Sequence, residues 1–169
     1  MGKFLELVTT DEGWEYVKRV NSNGAAIVLV YHTDREEYLM VEQYRPPIGC
    51  RVLEMPAGLI DQGESPSETA VREVYEETGV RITQDDLIDL GVVYSGVGMT
   101  NEEVNIFAVE INTDTLIEEP AIEGTEIAHG LVTKWLKEEE LYLLKAAKAL
   151  SVFMRYKIKK QNPDMVFPD

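Results

Sequence analysis

The sequence predicts an α+β fold, or a mixed sandwich, rather than a doubly wound parallel sheet. Short runs rich in β-branched and aromatic residues recur along the chain, only two segments carry a helical signal, and the connections between them are short and irregular in order. No internal repeat or low-complexity linker interrupts the pattern, so one domain over residues 1–169 is expected.

Residues 3–8 and 14–20 alternate weakly and predict an N-terminal β-hairpin. Asn21-Ser22-Asn23-Gly24 is a turn, and Ala25–Tyr31 is the longest strongly apolar run, a buried strand. A polar turn from His32 to Glu37 leads to a strand over Tyr38–Gln43. The Arg45-Pro46-Pro47-Ile48-Gly49 segment reads as a loop before a short strand at Val52–Met55. Strands are then expected at Leu87–Tyr94 and Glu103–Ile111, and near Ile127–Thr133 beyond an acidic loop at 112–126. A helix from about Leu141 to Lys159 and a polar tail complete the chain.

At 169 residues and 44% apolar, the chain is long enough for a proper core. Its net charge of −15 argues against a nucleic-acid backbone or an anionic membrane as the main partner. The single cysteine, Cys50, excludes an intrachain disulfide, and with no signal-peptide core near the N-terminus the expectation is a cytoplasmic protein. His32 and His129, placed in a turn and on a strand, receive no role.

The chemistry concentrates in residues 58–80. Ser65 is a good N-cap, Pro66 falls at the first helical position, Glu68 completes a capping box, and Gly79 supplies the C-terminal stop. On that helix Glu73, Glu76 and Glu77 stand at i, i+3 and i+4, so their carboxylates share a face, while Val71, Val74, Tyr75 and Thr78 form an apolar stripe read as roughly opposite. Three acids on a helix are ordinarily a solvated face. Here a fourth acid, Glu64, an intervening Arg72 and a two-glycine loop at Ala57–Gly63 coincide with them, and like charges packed so closely call for a cation or base.

Gly58, five residues, Glu64, seven residues, then Arg72-Glu73-Val74-Tyr75-Glu76-Glu77-Thr78-Gly79-Val80 resembles a complete Nudix box. The resemblance implies an α/β/α sandwich with a mixed sheet, carrying here an N-terminal β-hairpin extension. It implies hydrolysis of a nucleoside diphosphate linked to a further group. Divided on that basis, residues 1–23 are a hairpin and dimerisation extension, 24–160 the catalytic core and 161–169 a tail. The implied cofactor is Mg²⁺, or Mn²⁺, held by Glu73, Glu76 and Glu77 with the backbone carbonyl of Ala57. Glu64 supports the site and Arg72 orients the acids.

Outside the box, Val41-Glu42-Gln43-Tyr44-Arg45-Pro46 and Leu53-Glu54-Met55-Pro56-Ala57-Gly58 resemble the ADP-ribose pyrophosphatase branch of the family. By that resemblance Arg45 contacts phosphate and Glu54 helps hold substrate. Arg45 offers a planar fork for phosphate oxygens on a proline-stiffened loop. The Ser95–Glu102 loop resembles the branch's substrate-side loop, with Gly98, Thr100 and Glu102 in register; Val97 stands where the branch carries a proline. In the acidic loop, relatives place a glutamate that aids catalysis or a second metal, and Glu126 is preferred over Glu123. Trp14 and Tyr16 are expected in core or dimer packing before base stacking.

The implied reaction is attack of water on one phosphorus of ADP-ribose, giving AMP and ribose 5-phosphate, in a homodimer that binds neither nucleic acid nor membrane. Other nucleotide substrates stay open: GDP-mannose, a dinucleoside polyphosphate or a noncanonical nucleoside triphosphate. So does a module that binds ADP-ribose or NAD without cleaving it.

Overall fold

A computed structural model describes residues 2–168; Met1 and Asp169, the ends of the expected domain, lie outside the described residues. The N-terminal hairpin pairs β1 (Leu5–Thr9) with β2 (Glu15–Arg19) as a separate two-stranded sheet. It docks on the Ser95–Glu102 loop, where the Val17 N–H donates to the Met99 carbonyl at 2.8 Å.

The main sheet is mixed and seven-stranded. Its strands are β3 (Ala25–His32), β4 (Glu37–Arg45), β5 (Cys50–Glu54), β6 (Ala57–Leu59), β7 (Ile88–Tyr94), β8 (Glu103–Ile111) and β9 (Val132–Leu136). The order β5-β4-β3-β8-β7 carries one parallel pair, β3 with β8, and β6 and β9 pair antiparallel with β3 and β4. Strand alternation decides which helix each side chain meets. Ala26, Val28 and Val30 face Ala70 and Val74 of α1 (Pro66–Thr78), whereas Ile27 and Leu29 face Val152, Phe153 and Tyr156 of α4 (Ala147–Gln161). Helices therefore cover both faces, giving the α/β/α sandwich.

Helix α1 starts and stops as its sequence dictates. Ser65 accepts from the Glu68 N–H, the Ser65 N–H donates to Glu68 Oε2 at 2.8 Å, and Gly79 caps the C-terminus at φ 75°. The acids and the apolar residues are not opposite one another, however. Glu73 and Glu77 are buried beside Val74 and Thr78, while Val71 and Tyr75 are only half-buried, because the covered stripe includes Thr69 and Ala70.

Three further expectations shift. The strand expected near 127–133 is Val132–Leu136; ahead of it Gly124–Ala128 forms a short helix, α2, in which the Glu123 N–H donates to Glu126 Oε2 at 3.0 Å. The C-terminal helix begins at Ala147, not Leu141: Glu138–Leu141 makes a separate turn, α3, and Leu141 and Leu144 drop into the core between the two. Ala57–Leu59, read as loop, is strand β6 on β3. Likewise His32 ends β3, buried edge-on to Trp135, and His129 ends α2 rather than lying on a strand. Among the described residues, no helix is long and apolar enough to cross a membrane.

Candidate active site

The sandwich brings β6, α1 and α2 to one mouth of the sheet. There, carboxylate oxygens of Glu73, Glu77 and Glu126 all lie within 4.8 Å of one another. Glu73 is 6% exposed and Glu77 2%. Glu77 Oε2 accepts the Ala57 N–H at 3.0 Å, which locks helix to strand. Gly58 is the reason Glu73 fits: a Cβ there would fall 1.7 Å from Glu73 Oε1.

Burial pushes Glu77 up to about 9, with the charges of Glu73 and Glu126 adding to it against the Ala57 hydrogen bond. Burial likewise raises Glu73 to about 7, opposed by Arg72. Arg72 is the local counter-charge. It donates to Glu64 Oε1 at 2.9 Å, Glu64 Oε2 at 3.0 Å, Glu73 Oε1 at 2.6 Å and Glu76 Oε2 at 3.0 Å. Those hydrogen bonds, with one from Thr69, hold Glu64 down at about 2 despite its partial burial. Glu76 is more exposed and stands outside the group of three, one guanidinium away.

The acids open onto a cavity of about 970 Å³. Arg45 and Glu54 share it as an ion pair, with Arg45 Nε donating to Glu54 Oε2 at 2.6 Å. Glu102 also lines it, but as the hub of three elements: Arg19 of β2 donates to it, Lys148 Nζ stands 4.0 Å away, and Ser95 hydrogen-bonds it. Burial works to raise Glu102, and these partners nevertheless leave it below the usual range. Gly98 does not line this cavity. With Trp14, Tyr16, Tyr94, Val97, Thr100 and Asn101 it walls a smaller one of about 410 Å³. Trp14 is 62% exposed there, so it is not a core residue.

The donor set fits a hard divalent cation: three clustered carboxylates, two of them buried and only Glu73 paired with an arginine, with neither histidine nor cysteine among the three.

The family model for the NUDIX domain matches residues 21–156. The chain belongs to the NUDIX domain family. ADP-ribose pyrophosphatase of Bacillus subtilis is 29% identical over 158 residues, covering 88% of this chain and 84% of that protein. The methanol dehydrogenase activator of Bacillus methanolicus is 29% identical over 151 residues, covering 83% and 80%. Against some longer curated relatives, the chain spans about half of their own length. A crystal structure of an ADP compounds hydrolase superposes with a TM-score of 0.67 at 20% identity, over 96% of this chain and 87% of that one, which shows the shared fold. On these matches the protein is a Nudix pyrophosphatase-type enzyme.

Several residues at the Nudix cavity escaped the sequence reading: Arg19, Arg51, Leu143, Lys145 and Lys148. The expected strand at Val52–Met55 begins two residues after β5 does, which leaves Arg51 in the preceding loop, and Lys148 reads only as one basic residue of a C-terminal helix. Arg19 carries no signal beyond its place at the end of a hairpin strand.

Proposed function

We propose that this protein hydrolyses the diphosphate bond of a nucleoside diphosphate sugar in a divalent-cation-dependent reaction, with ADP-ribose as the substrate and AMP and ribose 5-phosphate as products. The observation that carries the reading is the opposition, in one cavity, of buried Glu73 and Glu77 with Glu126 to the Arg45–Glu54 pair. The similarity to the ADP-ribose pyrophosphatase of Bacillus subtilis supports the choice of sugar nucleotide.

Glu73, Glu77 and Glu126, with Glu76 and the Ala57 carbonyl at the edge, would hold Mg²⁺ or Mn²⁺. When bound, the ion supplies charge withdrawal from the diphosphate. The chain's own residues do the rest. Arg45 binds phosphate oxygens through its planar fork, and Glu54 fixes that fork's orientation. Water attacks one phosphorus, the bond to the bridging oxygen breaks, and the water's proton passes to a carboxylate, a task that suits Glu126 on its short helix. Arg72 and Glu64 keep Glu73 aimed into the cavity. Glu102 holds the sugar-side wall in place, and Gly98 shapes the smaller pocket against the hairpin.

Exposed Phe4, Leu5, Leu7 and Trp14 on the hairpin suit burial against a second copy, hence a homodimer, in a cytoplasmic setting. Steady-state hydrolysis of ADP-ribose with Mg²⁺, beside GDP-mannose, diadenosine polyphosphates, NADH and 8-oxo-dGTP, tests the assignment. A lead for ADP-ribose of about tenfold in kcat/KM supports it; a lead for any other compound removes the substrate and keeps the chemistry.

A further inference from the structure

Glu126 rides on a helix of five residues inside a long loop, a poor platform for a group that has to meet two acids on α1. Its carboxylate accepts the Glu123 N–H at 3.0 Å, and the short helix that carries it is anchored from the far side, by the turn that follows. The Leu131 N–H donates to the Glu126 carbonyl at 3.0 Å, the His129 N–H to Thr125 at 2.9 Å and the Gly130 N–H to Ile127 at 3.0 Å. That turn is clamped onto the β4–β5 hairpin. Arg51 Nη2 donates to the Gly130 carbonyl at 2.7 Å, Nη1 to the His129 carbonyl at 3.5 Å, and the Tyr44 N–H to the same His129 carbonyl at 3.0 Å.

Arg51 is itself held. Its Nε reaches Glu42 Oε2 at 2.9 Å and its Nη2 the Glu42 carbonyl at 2.9 Å, while Lys134 Nζ of β9 takes Glu42 Oε1 at 2.8 Å. Gly130 completes the fit. It sits at φ 61°, and a Cβ there would stand 3.4 Å from Arg51 Nη1. A rigid fork with both ends occupied reads two consecutive carbonyls, which a lysine ammonium has no planar geometry to do.

Resting on the role given to Glu126 above, we infer that Arg51 is a positioning residue for catalysis, acting through the 129–130 turn to hold Glu126 against Glu73 and Glu77. Arg51 also lines the cavity, so direct phosphate binding is the competing role. The two roles separate in kinetics. A positioning residue moves kcat, and its effect vanishes once Glu126 is disabled; a phosphate ligand moves KM and acts independently.

The test is a double-mutant cycle with Arg51→Met, Glu126→Gln and the pair, assayed with ADP-ribose and Mg²⁺. The expected result is a fall in kcat of about tenfold or more for Arg51→Met with little change in KM, a partial recovery for Arg51→Lys, and a double variant no slower than Glu126→Gln alone. Multiplicative losses, or a loss confined to KM, would overturn the inference. Normal turnover by Glu126→Gln would remove it at its base, and that failure belongs to the assigned role of Glu126. Gly130→Ala, which leaves the arginine in place and strains the turn, repeats the cycle should Arg51→Met not fold, with the same result expected.

Discussion

The Glu73 carboxylate lies directly over Gly58, so close that a Cβ at 58 would stand 2.0 Å from its carboxyl carbon. Backbone of β6 and side chain of α1 thus share one volume. Gly58→Ala should push Glu73 out of the group of three, lowering kcat by about tenfold or more while costing about 1–3 kcal/mol of stability. Activity and thermal unfolding of the purified variant, measured side by side, check this; unchanged kcat would mean that Glu73 has no catalytic position to lose.

Glu77→Gln is expected to trade function for stability. The amide oxygen still accepts the Ala57 N–H, but no carboxylate has to take up a proton in order to be buried at pH 8. Turnover should fall by about 10²-fold or more, while the metal-free variant at pH 8 melts higher than the parent. A variant that melts lower and still turns over normally would contradict both halves.

Stability of the metal-free protein should depend on pH with a definite sign. Glu73 and Glu77 are raised to about 7 and about 9, so between the unfolded carboxylate range and those values the native state binds more protons. Stability is then lost as pH rises from about 5 to 9. Glu64, held near 2, acts oppositely: its contribution is present above the unfolded carboxylate pKa and disappears as pH falls from there toward 2. The melting temperature without metal should accordingly peak near pH 5, and Mg²⁺ should raise it more at pH 8 than at pH 6. A metal-induced shift equal at both values would argue against these two acids as ligands.

Arg72 answers four carboxylate contacts on three acids. Arg72→Met leaves Glu73 buried without its counter-charge. With the arginine side chain 30% exposed, the cost should be about 1–3 kcal/mol rather than the larger value of a sealed pair. Denaturant unfolding with and without Mg²⁺ reads it, the metal recovering part of the loss.

Much of this was legible from residues 58–80, because caps, glycines and acid spacing are local signals. The sandwich was implied by the family resemblance, and Glu126, the acid preferred in the acidic loop on the same ground, stands within 4.8 Å of Glu73 and Glu77. What was not legible was set by which partner each side chain takes and by packing into the core, neither of which spacing reveals. Glu76 shares the helical spacing of Glu73 and Glu77, yet Arg72 takes it aside. The Glu123–Glu126 cap starts α2 at the end of the expected acidic loop and moves the last strand on to Val132–Leu136, and burial of Leu141 and Leu144 delays α4. Arg45 and Glu54, each given a substrate role by resemblance, also form an ion pair with one another that their separation in sequence does not announce.

The parallel pair at the centre of the sheet has a consequence for how the molecule comes into being. Ala25 meets Val104 and His32 meets Ile111, so the middle of the sheet closes only after most of the chain is available. Such non-local pairing slows folding. Helix α1 and the β4–β5 hairpin, built from local contacts, can form earlier, bringing Glu73 and Glu77 near Gly58 before Glu126 has anywhere to dock. Substitutions in β3 or β8 should thus delay the arrival of a working enzyme, whereas those in the 129–130 turn should leave folding speed alone and spoil only the finished site.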